Sequence, residues 1–144
     1  MGKNLPTAGK PRLLLASPEG GRPRLGELFG DHAQLLCAAT LQEAAELMHE
    51  DVDLIVCGMQ FHDSQMFDFL HLAKAALPQT PFVCCRVLET RLQRESIDAV
   101  VVAALAEGAA GYVDLPSLCA QHGKAEGERI FRERVMAHSR AAQA

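Results

Sequence analysis

Residues 53–58 read Asp-Leu-Ile-Val-Cys-Gly, and this run limits the fold more than any other segment of the chain. A strand with one wet face alternates apolar and polar side chains. Here Leu54, Ile55, Val56 and Cys57 follow one another without interruption. Both faces therefore need cover, as in a parallel sheet with helices on either side. Arg12-Leu13-Leu14-Leu15-Ala16 is a similar run, too short for a helix and followed by Pro18 and Gly20-Gly21. Pro81-Phe82-Val83-Cys84-Cys85 is another. Gln34 to Ala38 and Gly111-Tyr112-Val113-Asp114, the latter closed by Pro116, complete a set of five strand candidates.

Helical patterns separate these runs. Pro23 to Phe29 forms a short helix stopped by Gly30. Thr40-Leu41-Gln42-Glu43 is a capping box, and Leu41, Ala44, Ala45 and Met48 share one face of the helix it opens. Met66, Leu70, Ala73 and Leu77 form the next stripe, ended by Pro78. Residues 90–107 lack Gly and Pro, and Ile97, Val101 and Leu105 at spacing four predict a helix there, although Val100-Val101-Val102 favours strand geometry. A last helix starts near Ser117 and runs into the tail, with Phe131, Val135 and His138 on one face. Gly123 and Gly127 weaken its first half by up to about 1 kcal/mol each relative to alanine. Strands alternating with helices predict an α/β fold, and right-handed crossovers leave few topologies.

The 144 residues suffice for one domain. Residues 1–10 read as a polar, mobile arm, 11–136 as the folded body and 137–144 as a tail. A net charge of −4 argues against coating a phosphate backbone, and 5% aromatic content without Trp argues against a stacking platform for bases. No apolar run approaches the roughly 20 residues needed to span a bilayer. Met1 to Arg12 has no apolar segment and does not read as a secretory signal. Five cysteines at 37, 57, 84, 85 and 119, most of them in apolar runs, suggest buried thiols in a reducing cytoplasm.

Four segments carry a resemblance: Asp53 to Gly58, Phe61 to Leu70, Pro81 to Arg86, and Ala106-Glu107-Gly108-Ala109-Ala110-Gly111-Tyr112-Val113. In order and spacing they resemble the receiver domains of bacterial two-component response regulators, over about residues 11–135. The segment between Arg86 and Tyr112 is several residues longer than the family's pattern. The resemblance implies a flavodoxin-like, doubly wound five-stranded parallel sheet in the order 2-1-3-4-5, with helices on both faces. It also implies a phosphorelay site: an Asp nucleophile ending the third strand, two acids after the first strand that hold Mg²⁺, a Ser or Thr after the fourth strand and a Lys after the fifth. Every one of these positions is changed. Gly58 stands at the phosphoacceptor position, Ala16 and Ser17 at the acids, Arg86 at the hydroxyl, and Leu115, before Pro116, at the lysine. Neither Cys57 nor Met59, beside Gly58, restores an acid.

The resemblance therefore implies a pseudo-receiver: a non-catalytic signalling or adaptor module, not an enzyme, with no cofactor and no metal, acting by protein–protein contact. The family's usual contact face maps to residues near 90–107, 111–114 and 118–136, with Tyr112, Val113 and Arg86 as candidate partner-face or switch residues. The expected partner is a signalling protein or a second copy of the chain through that face, not nucleic acid and not a membrane. Two alternatives stand beside this reading: an atypical receiver phosphorylated at a non-standard residue, and an anion- or small-molecule-binding module in the vacated cleft.

Other candidates carry less. His62 and Asp63 form either a relocated acceptor or metal site or a solvated turn, and His62 and His71 lack metal-ligand spacing. Cys84 and Cys85 point to opposite layers of a strand, which opposes a disulfide between them. Cys57 reads as a core thiol unless Arg86 lowers its pKa. Gly20-Gly21 reads as a turn before it reads as an anion cradle. Arg86 either fills the emptied pocket and locks one conformation, pairs with Glu19, Asp63 or Glu89, or lies in solvent.

Overall fold

A computed structural model describes residues 10–59, 61, 65–88 and 93–143. Residues 1–9, His62, Asp63, Glu89 and the side chain of Glu19 lie outside the described residues. Five strands form one parallel sheet: β1 (Arg12–Ala16), β2 (Gln34–Ala38), β3 (Leu54–Gly58), β4 (Phe82–Arg86) and β5 (Gly111–Asp114), in the order β2-β1-β3-β4-β5. The flavodoxin-like topology is thus as expected. β3 and β4 are buried at every residue, whereas the edge strands β2 and β5 are partly exposed. This is why their sequences are the less uniform ones.

Alternation sends neighbouring side chains to opposite layers. Leu14, Ala16, Ile55, Cys57, Phe82 and Cys84 pack under α2 (Leu41–Glu46), α3 (Met66–Ala76) and α4 (Arg94–Ala106). Leu13, Leu15, Leu54, Val56, Val83 and Cys85 pack against α1 (Arg22–Phe29) and the C-terminal helices. Rings bolt the first layer together: Phe69 lies 5.7 Å from Phe61 and 5.4 Å from Phe82 between centroids. In the second layer Phe29 meets Phe131 at 6.0 Å.

The capping box forms, with the Glu43 N–H donating to Thr40 Oγ1 at 3.1 Å. Glu43 reaches back to the Ala39 N–H at 2.8 Å, one residue before the cap. α2 stops at Glu46, short of Met48, whose side chain is only partly buried. Residues 94–106 are helical, so packing of Ile97 and Ala104 overrides the strand preference of the three valines.

The C-terminal region departs from the single helix read from sequence. α5 (Leu115–His122) starts directly at the end of β5, capped by Asp114, and ends at Gly123. Gly123 has φ +87°, a left-handed conformation that glycine adopts without strain. α6 (Lys124–Met136) then folds back along α5. Gly127 permits this: a Cβ there would lie 2.7 Å from the Cys119 backbone. The two glycines make a hairpin of what periodicity alone reads as a weakened helix. Gly127→Ala is expected to cost roughly 1–3 kcal/mol by overpacking, read as a lowered urea midpoint at unchanged slope.

Residues 137–139 lead into α7 (Arg140–Gln143). Ser139 is buried, and a Cβ on Gly111 would sit 2.8 Å from His138 Nε2. Asp53 ties Arg12 and Arg140 to the start of β3. Its Oδ2 accepts from the Arg12 N–H at 2.9 Å, its N–H donates to the Arg12 carbonyl at 2.8 Å, and its carbonyl accepts from the Arg140 N–H at 3.0 Å.

Candidate functional site

The C-terminal ends of β1, β3 and β4 enclose a shallow cleft, the place where open α/β sheets bind ligands. Ser17, Gly58, Met59, Arg86, Val87 and Leu88 are among its lining residues. The space inside is room for about one water molecule. Of the residues read from sequence, Ser17, Gly58 and Arg86 meet here. Ala16 does not: strand alternation turns it into the core under α2–α4, where it is fully buried. Leu115 is likewise a core residue at the start of α5, buried with Leu118 in the opposite layer.

Gly58 is buried, yet no steric barrier opposes a side chain there. A Cβ there would lie 3.7 Å from the Ala16 carbonyl and 3.9 Å from Ser17 Oγ, ordinary van der Waals contacts. Ser17 Oγ donates to the Pro18 carbonyl at 3.2 Å and occupies the space that a side chain on Gly21 would need. The turn is therefore closed off at Gly21, whereas Gly20 faces open space.

Arg86 ends β4 and Asp114 ends β5, and the two are register partners. The Arg86 Nε–H donates to Asp114 Oδ2 at 2.9 Å, and the Tyr112 hydroxyl donates to the same oxygen at 2.7 Å. The other oxygen, Oδ1, accepts from the Ser117 N–H at 3.0 Å and so caps α5. Both members of the ion pair have side chains only 10% exposed. Burial alone would raise the Asp114 carboxyl, but the donors Arg86, Ser117 and Tyr112 outweigh it and hold the pKa below the usual carboxylate range. For Tyr112, burial and the hydrogen bond to Asp114 push the phenol up, against the opposing effect of Arg86. Burial opposes charge on Arg86, and the adjacent carboxylate more than restores it.

Arg86 is thus neither solvent-exposed nor paired within the surrounding loops among the described contacts; its acid is Asp114. Sequence reading missed Asp114 in this role. The signal was present, since two strands end in charges of opposite sign, but it becomes visible only once β4 and β5 are neighbours in register. Val113 corrects the expected contact face: alternation buries it at 5% exposure in the α5–α6 layer, leaving Tyr112 toward α4.

Cys57 is a core thiol. Burial, then the neighbouring Cys84 and Cys85, push its pKa well up, and no cation offsets them. Burial drives Cys84 up to about 12. All five cysteines are free. His71 Nε2 lies 2.6 Å from Glu107 Oε1, a surface contact between α3 and the end of α4. Among the described residues no cluster of His, Cys, Asp and Glu could hold a metal ion. The Mg²⁺ that receiver chemistry implies finds no carboxylate at Ala16, Ser17 or Gly58, so the described residues do not fit it. No helix among the described residues is long and apolar enough to cross a membrane.

The architecture and this cleft define the class: the fold is that of response-regulator receiver domains, which are signalling modules. The chain is similar to the non-phosphorylated HemR receiver domain from Leptospira biflexa, at 26% identity and TM-score 0.64, covering 89% of this chain and 95% of that one. It is also similar to the N-terminal signal receiver domain of a two-component response regulator from Bacteroides fragilis, at 15% identity and TM-score 0.70, covering 94% and 98%. The phosphorylated cyanobacterial phytochrome response regulator RcpA gives 12% identity and TM-score 0.63, covering 90% and 94%. No family model matches the chain, and no curated protein matches it by sequence.

Proposed function

We propose that this chain is a pseudo-receiver: a signalling module that works by protein–protein contact and without an aspartyl phosphate. The observation that carries the reading is the Arg86–Asp114–Tyr112 network at the edge of a cleft whose phosphoacceptor position is Gly58. A phosphoryl group acts as a ligand that favours one of two arrangements; with no nucleophile at position 58, no such differential ligand is available. Arg86 instead supplies a permanent cation, and Asp114 binds it, the Tyr112 hydroxyl and the first turn of α5 at once. The module then rests in one state, and regulation falls to partner supply rather than to a kinase. The contact face consists of α4, Tyr112 and α5. The free thiols support a reducing compartment, the cytoplasm. The reading assigns the chain no catalysis.

Incubation with acetyl phosphate and Mg²⁺, followed by intact mass spectrometry, should leave the chain's mass unchanged. Gly58→Asp should fold, given the ordinary contacts around its Cβ. On its own it should not produce a working switch, because Ala16, Ser17 and Leu115 still lack the metal acids and the lysine. Mg²⁺-dependent gain of a phosphoryl group by the unaltered chain, at Asp63 or any other Asp, overturns the proposal in favour of an atypical receiver.

A further inference from the structure

We infer that the outer edge of β2 pairs with β2 of a second copy of this chain, the two strands joining antiparallel about a two-fold axis normal to the sheet. This edge is separate from the contact face of α4, Tyr112 and α5, and its pairing depends on backbone geometry, not on the chemistry of the cleft. β2 borders the sheet, with β1 on one side only. In a parallel strand, alternate residues turn both backbone groups to the same neighbour. The Gln34 N–H donates to the Pro11 carbonyl at 2.9 Å, and the Ser17 N–H donates to the Ala38 carbonyl at 3.1 Å. Gln34, Leu36 and Ala38 therefore serve β1, while Leu35 and Cys37 turn their N–H and C=O groups outward. No described residue bonds to these four groups.

The opposite edge is guarded. β5 has four residues, ends in Asp114, and is approached at Gly111 by His138, 2.8 Å from where a Cβ would lie. β2 lacks such guards. From Ala33 to Ala39 the chain holds no charged residue and no Pro, the devices that ordinarily blunt an open edge. Leu35, Leu36 and Cys37 are only half-buried.

The strand is its own complement, and this points to a second copy as its cover. With Leu36 opposite Leu36 of the other copy, Leu35 of each faces Cys37 of the other. These become the hydrogen-bonded pairs of an antiparallel ladder, in which two residues exchange both N–H···O bonds. All four outward groups of each copy are then used. Sliding the register by two residues either way sets Leu35 or Cys37 against itself and leaves the other facing a residue outside the strand. The side chains agree with the first register. A two-fold axis normal to the sheet keeps each layer on its own side. Leu36 therefore meets Leu36 in the layer of α2, and Leu35 meets Cys37 in the layer of α1. Apolar pairs of this kind stabilise a ladder, and no like charges come opposite one another. Five strand residues a side fall well short of the roughly 20–30 of a standard stable complex. The pair should therefore form reversibly as concentration rises.

Sedimentation velocity and amide hydrogen exchange by NMR, on the whole chain over a wide concentration range, test this. The unaltered protein should pass from monomer to dimer. Where half the chains are paired, the Leu35 and Cys37 amides should exchange about twofold more slowly than at high dilution, with Leu36 unchanged. Cys37→Pro removes only an outward N–H that the strand's own ladder does not use, at a place where edge strands tolerate proline. It should hold the chain monomeric with its circular dichroism unchanged. Leu36→Cys combined with Cys37→Ala places two thiols on a pair with Cα atoms about 4.5 Å apart, within reach of a disulfide. Oxidised glutathione should convert this variant, and not the unaltered chain, to a covalent dimer, the two thiols losing their protons and two electrons to the glutathione disulfide. A chain that stays monomeric at every concentration, a dimer that Cys37→Pro leaves intact, or a Leu36→Cys variant that fails to cross-link overturns the inference.

Discussion

Replacing Asp114 with alanine is expected to cost about 3 kcal/mol of stability and to lower the Tyr112 phenol pKa towards its ordinary range, with burial still holding it above that range. The cost arises because Arg86 loses its acid in a setting where its side chain is only 10% exposed, while Tyr112 and the Ser117 N–H lose their acceptor. Arg86→Met should cost less, since the Asp114 carboxylate keeps two of its three donors. The chain has one Tyr and no Trp, so an absorbance titration of phenolate formation reports on Tyr112 alone. The sign differs for the two titrating members. Tyr112 is raised, so its share of stability is complete below the unfolded phenol's pKa of about 10 and is lost as pH rises through the higher folded value. Asp114 is depressed, so its share is complete above about 4 and is lost as pH falls through the lower folded value. Stability should therefore hold a plateau across the neutral range and fall at both extremes. A phenol that titrates at the same pH in folded and urea-unfolded protein would contradict the network.

Phe69→Ala should be the most damaging single truncation in the layer under α2–α4. Phe69 is fully buried and sits between Phe61 and Phe82, so its removal opens a cavity between two rings that the surrounding helices cannot easily close. Losses of about 3–5 kcal/mol are usual for such truncations. In a chain of this size that corresponds to a fall of roughly 10 °C or more in the melting midpoint followed by circular dichroism. Phe69→Leu, which keeps most of the volume, should lose less than half as much. Equal losses for the two variants would show that ring contacts, rather than filled space, dominate the site.

Uninterrupted apolar runs made β1, β3 and β4 legible, because a strand covered on both faces has no polar positions to confuse the pattern. The strand order came from the resemblance to receiver domains, since right-handed crossovers narrow the topologies without choosing one. The hairpin of α5 and α6 was not legible, since Gly123 reads equally as a weak helical residue or as a left-handed stop. What decides between them is the approach of Gly127 to Cys119, a contact made only in the folded chain. The candidate site was legible in part. Gly58, Ser17 and Arg86 do share one cleft, but Ala16 and Val113 face away from it because alternate residues of a strand serve opposite layers. Asp114 was the larger omission: charge pairing across strands depends on register, and register is a property of the assembled sheet.

The bonds of Asp53 have a mechanical consequence. The start of β1 and the turn into α7 are both fastened to this one residue. Tension applied between those two segments would therefore load the clasp at Asp53 before it reached the sheet's hydrophobic layers. A few hydrogen bonds at the rim would yield first, the last turn would peel away, and α6 would remain seated through Phe131 and Val135. The molecule's resistance to pulling is in this sense set at the end opposite the cleft, so strain entering through Arg12 and α7 would be absorbed there before it could disturb Arg86, Asp114 and Tyr112.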